Sequence, residues 1–290
     1  MAHRYLICNA DDFGLGRRIS DAILHCHAHG IVSSTTVMAN MPAAGYACDR
    51  AREFPDLGIG VHLVLTAGRP VLPAREVPNL VDSDGGFLSP SALKKVILGG
   101  RSLVCQAERE FAAQIHRAAS FGITPTHCDS HHGIHQLPWA RAAMVRAMRQ
   151  FGLLRVRPPT QYYWTAPSAP MSLRIMRIRH NIRFWPQRIR NRWNSHMLRR
   201  AGLRSANHKF RPSMLLPQVA DPRDRLLAVL RSLPAGIAEI AFHPGYPDPE
   251  VADPPAFAGV REKDFALVSN PASRSAAQQE GIELVSYLQV

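Results

Sequence analysis

Asp11 and Asp12, adjacent carboxylates in the run Asn9-Ala10-Asp11-Asp12-Phe13-Gly14, are the first residues along the chain whose type and spacing could do chemistry. They follow a short apolar run, Tyr5-Leu6-Ile7-Cys8, that reads as a buried strand. The pair is therefore expected just past the C-terminal end of a strand, where α/β proteins keep their sites. Neighbouring carboxylates repel. One must hold a proton, or a metal must neutralise the pair, and a metal lets one act as ligand while the other stays a base. The alternative is structural, an Asx-type turn capping the next helix.

Three more stretches bear on that choice. His62 lies in Leu57-Gly58-Ile59-Gly60-Val61-His62-Leu63-Val64-Leu65, and His243 opens the sharp exit His243-Pro244-Gly245. Between them, Thr126-His127-Cys128-Asp129-Ser130-His131-His132-Gly133-Ile134-His135 holds four histidines and a carboxylate in ten residues. A single histidine after a strand is more often an ordinary turn residue than a ligand. Four separate strand ends with metal-competent side chains are not expected by chance. Two histidines with one carboxylate make a three-ligand set that leaves positions open for water and substrate, the mark of a catalytic site. Such a site activates water, with the second carboxylate as general base and His243, on the far side, protonating a leaving group.

The elements that must position these residues alternate. Apolar residues at Ile19, Ala22, Ile23 and Cys26 predict a helix over 16–30, Ser33 to Met38 a strand, Pro42 to Phe54 a helix, and Leu57 to Leu65 a strand. Strand, helix, strand, helix, strand implies parallel pairing with crossover helices, and hence convergence of the strand ends on one face. Residues 66–90 read as a long loop able to frame a pocket. Helices are expected over 107–121, 138–151, 221–233 and 272–281, and strands at 153–156, delivering Arg157 to the same end, at 236–242 and at 282–287. With no internal repeat and no low-complexity linker, one domain, 1–290, is expected; barrels commonly reach this size as a single unit.

Composition narrows the class. At 46% hydrophobic and 20% charged the chain reads as globular, and no apolar run approaches the roughly 20 residues of a membrane span. The apolar run before Asp11 is too short for a signal-peptide core, so residence in the cytoplasm is expected. Cys8, Cys26, Cys48, Cys105 and Cys128 are scattered without a C-x-x-C pair, which argues against a disulfide framework or a cysteine zinc site. The net charge of +13 is local: residues 130–220 contain 17 of the 35 Lys and Arg and no acidic residue. Within them, 173–198 place Ile175, Ile178, Ile182, Trp185, Ile189 and Trp193 at helical spacing among arginines, with Pro186 splitting or kinking the helix. That pattern suits either a helix at an anionic membrane surface or one covering the barrel with its arginines in water. Nucleic acid is not expected, because aromatic residues are sparse among the other basic ones.

Taken together, N-A-D-D-F-G, G-I-G-V-H-L-V-L-T, T-H-C-D-S-H-H-G-I-H and F-H-P-G resemble, in order and spacing, the YdjC/ChbG-type carbohydrate deacetylases. The resemblance covers nearly the whole chain and is weakest across the basic segment. It implies an α/β fold, a distorted TIM-like (β/α) barrel with a basic, mainly helical insertion around 160–212. It also implies one divalent metal ion, Mg or Zn, and removal of an N-acetyl group from an amino sugar. By position, Asp12, His62 and His131 would be the metal ligands, Asp11 the general base and His243 the acid. Asp129, His132, His135 and Arg157 would touch substrate or support the ligands. Gly133 stands where many relatives carry a third consecutive histidine. The loop G-R-P-V-L-P, then V-P-N-L-V-D-S-D-G-G-F, is similar to the branch associated with hopanoid biosynthesis, in which the sugar is lipid-linked. A homodimer is compatible with the resemblance. The alternative reading is a protein that binds a glycan or anionic lipid on the same barrel without catalysis; it has no need of a carboxylate beside a metal ligand.

Overall fold

The computed structural model describes residues 3–96, 100–159, 185–210, 222–249, 251 and 255–290. Strands and helices alternate through the first half: β1 (Arg4–Phe13), α1 (Arg17–His29), β2 (Ser34–Val37), α2 (Ala44–Ala51) and β3 (Gly58–Leu63). A short helix, α3 (Pro90–Lys95), is capped by Ser89, whose hydroxyl accepts from the backbone of Ala92. Then follow α4 (Gly100–Ser120), β4 (Cys128–Ser130), α5 (Pro138–Gln150), α6 (Trp185–Arg200), β5 (His208–Phe210) and α7 (Pro222–Ser232). β6 (Gly236–Phe242), α8 (Pro255–Val268), α9 (Pro271–Gln279) and β7 (Ile282–Leu284) complete the described chain.

All the strand pairs are parallel, in the order β4-β3-β2-β1-β6-β5, with β7 beside the first residues of β1. Residues 154–157 join the two edges. Cys128 bridges Val156 on one side and Arg155 bridges Arg204 on the other, four residues before β5. The strand expected at 153–156 is thus a seam of single bridges that closes a distorted (β/α) barrel.

Parallel strands covered on both faces usually read as unbroken apolar runs. Here they alternate. Leu6, Cys8 and Ala10 on β1, Ile59, Val61 and Leu63 on β3, Cys128 on β4 and Ala238, Ile240 and Phe242 on β6 join the large core between strands and helices. The residues between them point into the barrel. At its base a small apolar plug forms from Ile7, Ala206, Val285 and Tyr287. Above that plug the interior is polar, with Asp11, Thr36, His62, Asp129, Arg157 and Glu239 all buried or nearly so. The period of two in these strands therefore separates the packed face from the polar interior.

Several local expectations change. β1 continues through Asp11 and Asp12 to Phe13, so the carboxylates are the last residues of the strand and not a turn after it. α4 begins at Gly100, seven residues before the expected start, and α8 lies where no element was expected. In the basic insertion α6 is helical, and its end adds strand β5; Ile175, Ile178 and Ile182 lie outside the described residues. Among the described residues no helix is long and apolar enough to cross a membrane.

Candidate active site

In a regular strand Asp11 and Asp12 would face opposite sides of the sheet. β1 avoids this. Its register with β2 shifts between Ala10 and Phe13, and Asp12 takes a left-handed backbone with φ of 70°. Asp is among the few residues that tolerate that conformation. The result is two consecutive carboxylates in one site.

Asp12 Oδ1 is buried and meets no hydrogen-bond partner. It faces His62 Nε2 at 3.5 Å and His131 Nδ1 at 3.3 Å. Ligand atoms about 2.1 Å from one ion stand roughly 3.0–3.5 Å apart around it, so this orphaned oxygen and two ring nitrogens fit a metal ion. His62 is set for the role from behind. Its Nδ1 donates to Asp129 Oδ1 at 2.6 Å, which leaves the Nε2 lone pair toward Asp12. Burial disfavours the His62 cation, but Asp129 outweighs it and raises the ring's pKa. Asp12 Oδ2 accepts from Arg261 at 2.8 Å. Burial opposes ionisation of Asp12, yet His131 and Arg261 overcome it and hold the carboxyl well below the usual range.

Asp11, His62 and Asp129 also cluster closely enough to hold an ion. Arg157 already fills that place. Its guanidinium donates to both oxygens of Asp11 at 2.8 and 2.6 Å, reaches Asp129 Oδ2 at 2.5 Å, and donates from Nε to Glu239 Oε1 at 2.5 Å. Tyr287 donates to the other Glu239 oxygen at 2.5 Å, and Asn9 donates to Asp11 at 2.8 Å. Although burial pushes the Asp11 pKa up, Arg157 pulls it far below the ordinary carboxylate value. Asp11 is thus an ionised carboxylate beside the candidate metal set without belonging to it.

His243 completes the ring of groups. Its Nε2 lies 3.7 Å from Asp11 Oδ2, and about a third of its side chain, 32%, remains exposed. Its backbone N–H donates to Asp264 at 2.9 Å, and its ring meets the edge of Phe257. Burial lowers its pKa, with Asp11 and Asp12 countering only in part. Asp264, half-buried beside it, is pushed up to about 6 by its own desolvation.

Of the nine residues singled out from sequence, the fold brings together Asp11, Asp12, His62, Asp129, His131, Arg157 and His243. His132 stands at the rim, its ring 3.9 Å from that of His131 and its Nδ1 2.9 Å from Thr66 Oγ1. His135 points elsewhere, buried with its Nδ1 2.6 Å from Ser130 Oγ. Gly133 takes φ of 63°, a backbone that glycine adopts without strain, and a Cβ there would come 2.9 Å from the end of the Gln136 side chain. Sequence reasoning missed Thr36, Glu239, Arg261, Asp264 and Tyr287. Glu239 left a signal, as the lone charge in apolar β6; the others become visible only when the fold brings them in.

His127 and His135 are buried and neutral, and burial pushes both down to about 3. Between the ordinary histidine value, about 6.5, and that value the unfolded chain binds protons that the folded chain refuses, so stability falls as the pH falls. His62 and Asp264, both raised, work in the opposite direction. Urea unfolding should show stability dropping between about pH 6.5 and 5, and His135→Gln should lessen the drop while lowering stability at alkaline pH. A His135→Gln profile that drops as steeply as the parent's would show that this ring is not buried neutral.

Fold and site together define a parallel (β/α) barrel with a candidate metal centre at the C-terminal ends of its strands. The chain belongs to the YdjC-like protein family, whose model matches residues 5–279. It is similar to a carbohydrate deacetylase of Geobacillus stearothermophilus, 30% identical over 98% of this chain and 97% of the relative. It is also similar to a chitooligosaccharide deacetylase of Salmonella schwarzengrund, 36% identical over 59% of this chain and 66% of the relative. Among solved structures, a protein of Enterococcus faecalis V583 provisionally assigned to cellobiose-phosphate cleavage shares the fold. The TM-score is 0.77 at 23% identity, over 99% of each chain.

Proposed function

We propose that the protein is a metal-dependent N-deacetylase, one barrel domain that hydrolyses the acetamide of an N-acetylated amino sugar, either an oligosaccharide or a lipid-linked glycoside. The observation that carries this reading is the pairing of Asp12, His62 and His131, which could hold one divalent cation, Mg or Zn, with an ionised Asp11 braced by Arg157. The names of the Geobacillus and Salmonella relatives support the acetamide as substrate. When bound, the ion would supply Lewis-acid activation of water and of the amide carbonyl.

The chain's own residues do the rest. Asp11 takes a proton from the attacking water, with Arg157 keeping both of its oxygens aimed. His243 gives a proton to the departing amine nitrogen, so that acetate and the free amino sugar leave. Asp264 and Phe257 hold His243 in place, Asp129 fixes the His62 tautomer, and Arg261 fixes Asp12. His132 stands where a bound sugar would pass. A binding protein without catalysis has no use for a carboxylate held ionised beside a ligand set. We place the activity in the cytoplasm, where the five unpaired cysteines would stay reduced.

Acetate release from a panel of N-acetylated sugars tests the reading. Metal-replete protein should release acetate, a chelator should reduce release to background, and one divalent ion per chain should restore it. Metal-replete protein that deacetylates no N-acetylated sugar, soluble or lipid-linked, would sink the proposal.

A further inference from the structure

α6 wears its residues the wrong way round for a helix on a water-facing surface. The side packed on the protein is Asn191, Asn194 and Leu198, all buried. Arg141 on α5 donates to Asn194 Oδ1 at 2.5 Å, and Asn194 Nδ2 donates to the carbonyl of Gln136 at 3.2 Å. The opposite side carries Trp185, Ile189, Trp193 and Met197, which are 64%, 54%, 47% and 37% exposed. A spacing of four residues keeps all of them on one stripe. Only Trp193 has a described cover, the Arg141 guanidinium 4.8 Å above its ring.

Exposed arginines flank the stripe: Arg188, Arg192 and Arg199 on one side, Arg190 on the other, and Arg200 beyond Met197. No acidic residue between 130 and 220 offsets them. We propose that α6 is an interfacial helix that seats the protein on an anionic lipid surface. The apolar stripe enters the headgroup boundary and the arginines meet lipid phosphates on either side. A second copy packed on the same face would set arginine against arginine, since a two-fold contact pairs a surface with itself.

The placement of α6 gives the contact a direction. Asn194 touches Gln136, at the end of the turn that begins with His131, while Ala201, just past α6, accepts from Arg149 near the end of α5. The two helices therefore run the same way, and residues 185–193 extend about 13 Å beyond the start of α5, on the side of the strand ends. The lipid surface would lie beside the mouth of the site and not behind the barrel.

Binding can be read without any turnover, so the test stands apart from the deacetylase assignment. The full chain should sediment with vesicles of mixed phosphatidylglycerol and phosphatidylcholine but not with phosphatidylcholine alone, and high salt should weaken binding by about tenfold or more. In the parent protein, lipid brominated near the headgroup should quench tryptophan fluorescence, a readout that needs no variant. Ile189→Glu/Met197→Glu should lose binding at unchanged melting temperature. Three outcomes overturn the proposal: a parent that stays in the supernatant at low salt, a folded variant that binds as the parent does, or a stripe shown by light scattering to be covered by a second copy.

Discussion

Asp11→Asn is expected to lower acetate release by roughly 10²- to 10⁴-fold while leaving the metal content unchanged. The reason is spatial. Asp12 Oδ1, His62 Nε2 and His131 Nδ1 form the candidate ligand set, and Asp11 faces Arg157 instead. Asparagine keeps an acceptor for the guanidinium but cannot take a proton from water. His62→Ala should behave differently and lose metal and turnover together. Metal analysis beside steady-state kinetics separates the two. If Asp11→Asn emptied the site, or His62→Ala kept its ion, base and ligand would have been assigned the wrong way round.

Arg157→Leu should cost more stability than any other single change at the site. One guanidinium, almost fully buried, neutralises Asp11, Asp129 and Glu239 at once. Removing one partner from a buried ion pair typically costs roughly 3–5 kcal/mol, because the abandoned charge stays desolvated. Here three carboxylates are abandoned, and the folded state must protonate them or let water in. Arg157→Lys keeps the charge but cannot present the planar fork, so it should fall between leucine and parent. Urea unfolding of the metal-free proteins measures this directly. A loss below about 1 kcal/mol for the leucine variant would mean that the carboxylates find other partners.

The seam that carries Arg157 also explains what could be read in the sequence. Strands β1, β3 and β6 are legible as short, mainly apolar runs, and β2 by its β-branched residues Thr35, Thr36 and Val37. His62, His131 and His243 stand out only as a set: one histidine at a strand end says little, but several strand ends with metal-competent side chains point to one site. α8 was not legible, and its inward charges hid it. Arg261 and Asp264 lie one helical turn apart and face inward, so the charged residues occupy the side where apolar periodicity would have shown. The seam shows in the sequence as the short strand expected at 153–156, whereas β5, three residues long, is too short for any periodic signal. The basic insertion was read as amphipathic, but sequence could not tell which side meets the protein; the packing of Asn191 and Asn194 decides that.

The left-handed residue at Asp12 bears on how such a site can be inherited. A strand tolerates many exchanges of side chain, but here the turn of the backbone, not composition alone, brings two neighbouring carboxylates into one site. Inserting or deleting one residue between Ala10 and Phe13 would slide the pair by one step and send one carboxylate out among the helices. Asp11-Asp12 is therefore a word of fixed length as well as fixed spelling. Divergence among descendants has room in the long loop after β3 and in the insertion after Arg157, while the end of β1 must be copied whole.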